Sequence, residues 1–257
     1  MKELVVKVIE NEPLVAGVYK MKFSLPEKTE GLACGRFVNI STGDGGHLLR
    51  RPIAICEYTP DTVTICYQLK GEGTRAMSRV RPGDTLSCVL PLGNGFALKK
   101  EEKKVALIGG GVGVFPMVSV LKEYAGEDKN FCSYIGFRNK DAVCMEEVFR
   151  SLSTRCSIVT DDGSYGKKSN AVAAFFKDYE QVRPDVILSC GPVPMLRALK
   201  NGLLERNLHV PCFVSLEERM GCGIGACLVC VCHKKGGAEN VRVCKDGPVF
   251  EIEEVEI

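Results

Sequence analysis

Four cysteines near the C-terminal end of the chain have the type and spacing for redox chemistry. Cys222, Cys227 and Cys230 follow the order C-x4-C-x2-C, and Cys244 comes after a further thirteen residues. This is a spacing in which four thiolates hold a [2Fe–2S] cluster. Small residues fill the first interval. Gly221, Gly223, Gly225 and Ala226 let the backbone wrap an inorganic core and aim amide N–H groups at its sulfurs. A structural zinc site would more often show C-x2-C twice, with no such collar. Cys232 and His233 stand nearby and keep the zinc alternative open. The spacing predicts Cys222, Cys227, Cys230 and Cys244 as cluster ligands and leaves Cys232 out.

Three further motifs could bind phosphate. Arg51-Pro52-Ile53-Ala54 ends a turn and opens a strand, and an arginine there can make charge-assisted bonds to a pyrophosphate. Gly71-Glu72-Gly73-Thr74 precedes a helix start, where N–H groups and a hydroxyl could meet the same anion. Taken singly, each reads first as an ordinary turn or cap. Gly109, Gly110, Gly111 and Gly113 follow an apolar strand and lead into a helix, a phosphate-cradling context. The pattern departs from G-x-G-x-x-G, and Phe137-Arg138 stands where an acidic ribose partner would be expected. Cys190-Gly191-Pro192 ends a later strand at the same edge, and by itself is no more than a turn.

The elements around these motifs fall into two kinds. Leu4–Ile9, Val18–Phe23, Phe37–Ile40, Ile53–Cys56, Thr62–Leu69 and Thr85–Leu90 are short β-branched and aromatic runs. Turn signals separate them, weak at Asn11-Glu12-Pro13 and clear at residues 42–46, 59–61 and 81–84. Six such strands predict a small antiparallel barrel. Val105–Ile108, Phe131–Gly136, Cys156–Val159, Asp185–Ser189 and Cys212–Val214 then alternate with helical stretches such as Glu146–Ser151 and Met195–Arg206, which predicts a doubly wound parallel sheet. The charged stretch Lys99–Lys104 reads as the linker between them. The expected division is 1–99 for the barrel, 100–214 for the α/β domain and 215–257 for a small cluster-binding segment.

Composition limits the partners. The net charge is +2, from 34 basic and 32 acidic residues, and no long basic block argues for nucleic acid or an anionic membrane. No apolar run approaches the roughly 20 residues needed to span a bilayer, and no signal-peptide pattern opens the chain. Fourteen cysteines scattered mostly through apolar runs fit reduced thiols of a cytoplasmic protein, with Cys56, Cys66, Cys88 and Cys132 expected to be buried. His47, His209 and His233 read as surface or structural residues.

In their order along essentially the whole chain, these motifs, with Thr160-Asp-Asp-Gly-Ser164, resemble the ferredoxin–NADP reductase superfamily. Cys222-Gly-Ile-Gly-Ala-Cys227 with Val243-Cys-Lys-Asp-Gly-Pro248 is similar to one branch, the electron-transfer subunits of type B dihydroorotate dehydrogenases. The resemblance implies FAD in the barrel, touching Arg51 to Ala54, Cys66-Tyr67-Gln68 and Gly73-Thr74. It implies NAD(H) on the α/β domain and the [2Fe–2S] cluster at the C-terminal end. It further implies an FMN-containing catalytic partner, in a heterotetramer of two plus two, and a place in pyrimidine (UMP) biosynthesis. Dihydroorotate oxidation is then expected only together with that partner. Relatives often carry a hydroxyl residue where Ala54 stands, so here the corresponding flavin contact would come from backbone. A reductase subunit of another flavin and iron–sulfur complex, hydrogenase- or ferredoxin-linked, is the alternative. A fused oxygenase reductase fits less well, because the cysteine segment is short for a ferredoxin domain. A zinc-stabilised binding module would leave the nucleotide motifs unexplained.

Overall fold

A computed structural model describes residues 1–237 and 239–257. The first part of the chain forms β1 (Lys2–Val15), β2 (Val18–Ser24), β3 (Phe37–Ile40), β4 (Arg51–Thr59), β5 (Thr62–Gln68), helix α1 (Glu72–Met77) and β6 (Thr85–Leu92). These six strands close into a barrel in the order β1-β2-β5-β4-β3-β6, with every pair antiparallel. Alternation supplies its core: Met21 and Phe23 of β2 point inward with Val38, Ile40, Ile55 and Ile65, all buried.

One expected turn is absent. Asn11-Glu12-Pro13 lies inside β1, which runs on to Val15 and turns at Ala16-Gly17, where Gly17 supplies φ +73°. Tertiary contacts override the local signal. The Asn11 amide donates to the carbonyls of Met77 and Val80 at 2.9 and 2.8 Å and accepts from the Tyr67 hydroxyl at 2.9 Å. Asn11 therefore fastens α1 to the barrel rather than turning the chain.

The second part comprises β7 (Lys104–Gly110), α2 (Val114–Glu123), β8 (Asn130–Phe137), α3 (Glu146–Leu152), β9 (Arg155–Thr160), β10 (Lys167–Lys168), α4 (Ala171–Val182), β11 (Val186–Cys190), α5 (Val193–Glu205) and β12 (Cys212–Ser215). Its strands are parallel in the order β10-β9-β8-β7-β11-β12. The charged stretch Lys99–Lys104 is held as a pinned turn. Glu102 is buried and accepts from the Lys99 amide at 2.7 Å, and Asp185 accepts from the amides of Lys103 and Lys104. Helix α2 packs on β4, with Tyr58 donating to Glu123 and Lys122 paired with Glu57, each at 2.6 Å. Barrel and sheet thus meet along one face. Cys56, Cys66 and Cys88 are buried as expected, whereas Cys132 is only half-buried.

The C-terminal segment carries a cluster loop, a hairpin of β13 (Val231–His233) and β14 (Asn240–Arg242), and β15 (Val249–Glu251). The last strand returns to the sheet and pairs antiparallel with β12, so that Phe213, Val214 and Ser215 face Glu251, Phe250 and Val249. The barrel holds the same segment from its other side, where Asn94 donates to the carbonyls of Gly247 and Asp246. Among the described residues no helix is long and apolar enough to cross a membrane.

Candidate functional site

The cluster loop is shaped around its sulfur atoms. Gly223 and Gly225 adopt φ +73° and +84°, a region glycine enters freely. Leu228 is held there too, at φ +57°, a cost that over-determined functional loops sustain. The reversed backbone turns its amides inward. The N–H groups of Ile224, Ala226 and Cys227 point at Cys222 Sγ at 3.3–3.4 Å, and that of Cys222 at Cys227 Sγ at 3.4 Å. Gly225 N–H points at Cys244 Sγ at 3.1 Å, and Cys244 N–H at Cys230 Sγ at 3.4 Å.

Backbone amides tie the sulfurs in two pairs: Cys222 and Cys227 each accept the other's N–H, and Cys230 accepts that of Cys244. Burial pushes the Cys222 thiol up, but the amides of Ile224 and Cys227 and the Cys227 thiol outweigh it and bring it down to about 6. A loop that favours thiolate and offers donors to sulfur fits an anionic iron–sulfur core, and paired thiols fit a binuclear one. Cys232 stands on β13 opposite Val241 and packs into the core beneath the loop.

Two cavities open at the seam of barrel and sheet, the first bordered by the flanks of the cluster segment. The first, about 380 Å³, lies between barrel and sheet and is lined by Arg51, Pro52, Ile53, Ala54, Cys66, Tyr67, Gln68, Gly73 and Thr74. Every residue expected at a flavin is thereby brought together, although β4, β5 and α1 supply them separately. Arg51 lies across Gly73, where an added Cβ would fall 2.0 Å from its Nη2 and 2.3 Å from its Cζ. A further guanidinium bond reaches the Leu49 carbonyl. The cradle therefore depends on the missing side chain at Gly73.

The Thr74 hydroxyl differs from expectation. It accepts from the amides of Lys70 and Gly71 and donates to the Gly71 carbonyl, so it shapes the helix start rather than standing free. Tyr67 is likewise committed to the barrel, stacked with Tyr19 at 5.9 Å and only 1% exposed.

The second cavity, about 640 Å³, opens at the carboxyl edge of the sheet and is lined by Gly110, Gly111, Gly113, Gly191 and Pro192. Gly113 packs so close to β11 that a Cβ would meet the Cys190 carbonyl oxygen at 2.3 Å. Cys190 itself lines the first cavity. Gly109 lines neither and lies buried in β7.

Several residues of the site carry no motif. Lys70, Val112, Phe115 and Glu217, together with the expected Gln68, line both cavities and form the neck between them. Lys70 of the barrel faces Glu217, just past β12, at 3.9 Å across this neck. Asp141 and Asp161 add two more acidic groups to the second cavity, from the connections after β8 and β9. Asn39, 2% exposed, pairs with Pro52 in the barrel and donates its amide to the Cys222 carbonyl at 3.4 Å. It thus touches both the cluster loop and a strand of the first cavity. Met220 and Pro248, from the two flanks of the cluster segment, line that cavity as well.

Comparison with known proteins agrees with this layout. Residues 217–256 match the iron-sulfur cluster binding domain of dihydroorotate dehydrogenase B, and residues 107–201 match the oxidoreductase NAD-binding domain. A dihydroorotate dehydrogenase B (NAD(+)) electron transfer subunit of Streptococcus mutans serotype c is 40% identical, with 87% of each chain covered. That of Fusobacterium nucleatum subsp. nucleatum is also 40% identical, with 97% of each covered. Among solved structures, an NADH-dependent reduced ferredoxin–NADP oxidoreductase studied for flavin-based electron bifurcation superposes with TM-score 0.85 at 26% identity, over 98% of this chain and 89% of the other. The cytochrome b5 reductase domain of Ulva prolifera nitrate reductase shares the fold at TM-score 0.67 and 16% identity, over 81% of this chain and 94% of the other. With paired thiols, a cleft between barrel and sheet, and relatives matched along nearly their full length, the chain belongs to the electron transfer subunits of dihydroorotate dehydrogenase B.

Proposed function

We infer that this chain carries electrons between the FMN of a dihydroorotate dehydrogenase catalytic subunit and NAD, through a [2Fe–2S] cluster and FAD, in the synthesis of UMP. The observation that carries this reading is the meeting of three sites at one place. The first cavity shares its neck with the second and receives Met220 and Pro248 from the cluster segment. When bound, FAD exchanges a hydride with nicotinamide and single electrons with the cluster, so it belongs in the middle cavity.

The residues then take distinct tasks. Arg51, seated on Gly73, neutralises the pyrophosphate of FAD. The strand from Pro52 to Ala54 and the end of β5, Cys66 to Gln68, form the walls against the flavin. Gly110, Gly111 and Gly113 open α2, a ten-residue helix, toward the NAD pyrophosphate. Cys190-Gly191-Pro192 borders the junction where nicotinamide must approach the flavin. Gly109 then supports the turn from inside the strand.

Following these amide-linked pairs, Cys222 and Cys227 would hold one iron and Cys230 and Cys244 the other. Cys227 is exposed, as are Ile224, Leu228 and Val229 at 43, 62 and 53%. This apolar face around the outer thiol suits the catalytic subunit, in an assembly of two plus two. The division 1–99, 100–214 and 215–257 is supported by the two family matches, at 107–201 and 217–256. The ten cysteines besides the four ligands, scattered singly and mostly buried, support a reducing, cytoplasmic setting.

The test is anaerobic purification followed by absorption spectroscopy and analysis for iron, sulfide and flavin. One FAD with two irons and two sulfides per chain is expected, by the cofactor set inferred above. Zinc without flavin would overturn the reading.

A further inference from the structure

The hairpin that delivers Cys244 to the cluster loop also delivers a fork of charge. Arg242 Nε and Nη2 donate to the two carboxylate oxygens of Asp246, both at 2.9 Å, and the Arg242 amide donates to the same carboxylate at 2.8 Å. The remaining nitrogen, Nη1, donates to the Gly225 carbonyl at 3.3 Å. Gly225 is the residue whose own N–H points at Cys244 Sγ. One guanidinium therefore joins the loop bearing Cys222 and Cys227 to the turn bearing Cys244.

The pair is unlike a solvated surface bridge. Both side chains are about two-thirds covered, with exposures of 31 and 33%, and the geometry is bidentate. Arg242 pairs across the hairpin with Val231, the residue after Cys230, and stands two residues before Cys244, so its charge lies beside the inner pair of thiols. Outer-shell groups of this kind orient ligands and shift the potential of the metal they surround.

We propose that Arg242 and Asp246 act as a positioning and tuning pair for the cluster. Their fork fixes Gly225 so that its N–H stays on the Cys244 sulfur, and their charges set the field met by an added electron. This rests on the cluster reading of the four cysteines. Iron and sulfide in the wild-type chain are therefore measured first, and their absence would sink that reading rather than the role of the pair.

The variants are Arg242→Gln, Asp246→Asn and Arg242→Lys, each in the full chain with its cofactors. The midpoint potential is read by EPR of the reduced cluster in a mediated titration, and cluster loss by bleaching under a chelator. Arg242→Gln removes a positive charge and leaves Asp246 unpaired, so the potential falls. Asp246→Asn removes the negative charge and raises it. Arg242→Lys keeps the charge but loses the fork, so the potential stays near wild type while the chelator strips the cluster several-fold faster. A purely packing role would move the two charge variants in the same direction or not at all, and either result overturns the proposal. A lysine variant as resistant to chelator as wild type overturns the positioning half. If Arg242→Gln retains no cluster, an unchanged potential in Asp246→Asn is still decisive against tuning.

Discussion

Replacing Gly73 with alanine is expected to release FAD without loosening the fold. The added methyl would fall 2.0–2.4 Å from Nη2, Cζ and Nε of Arg51, the three atoms nearest to it. All three belong to the far end of a flexible side chain, so the guanidinium swings away and the backbone stays. Gly73 lies within α1 and its φ is not positive, so alanine suits the conformation and adds roughly 0.5–1 kcal/mol of helix stability. The flavin loses a charge-assisted contact of about 1.5–3 kcal/mol, which weakens its binding about ten- to a hundredfold. Equilibrium fluorescence titration of the flavin-stripped chain measures the affinity, and urea unfolding of the same preparation measures the fold. Arg51→Ala should weaken binding to a similar extent, and the double variant should be no worse than Arg51→Ala alone, because both act through one contact. A Gly73→Ala chain that holds FAD as tightly as wild type, or a double variant whose losses add, would refute the argument.

Serine at Cys222, Cys227, Cys230 or Cys244 should abolish the cluster absorption and spare most of the FAD. Cys232→Ser should leave both, and loss of the cluster in that variant alone would overturn the ligand assignment. The isolated chain should reduce artificial acceptors with NADH yet form no orotate from dihydroorotate. Addition of the FMN-containing catalytic subunit should produce NAD⁺-dependent orotate formation, which Cys227→Ser abolishes while NADH still reduces the FAD. Asn11→Ala should lower the free energy of unfolding by about 2–4 kcal/mol, for three hydrogen bonds lost between β1, α1 and β5. A urea midpoint unchanged from wild type would contradict it.

What could be read from the sequence was whatever local chemistry dictates. Cysteine spacing declares itself because four ligands of one cluster must come from a short wrap and one return. The barrel strands declare themselves through β-branched runs broken by turns. Asn11 misled because its side chain is satisfied by residues more than fifty positions away, a reason that no local window contains. Lys70 and Glu217 meet only because barrel and sheet dock, and Arg242 finds Asp246 and Gly225 only once the hairpin is closed. Strand β15, with three residues, is too short to show a period.

That short strand has a consequence for quality control in the cell. The cluster segment leaves the sheet at Ser215 and rejoins it at Val249, the residue directly opposite. Among the described residues β15 is the strand that pairs with that side of β12, whose other neighbour is β11. A chain that fails to acquire its iron lacks one of the ties that close the excursion, and its last strand peels away more readily. The uncovered row of backbone donors and acceptors on Cys212–Ser215 would then be a template for misassembly and a handle for proteases. Immature subunits would be marked for removal by the very edge that mature ones keep hidden.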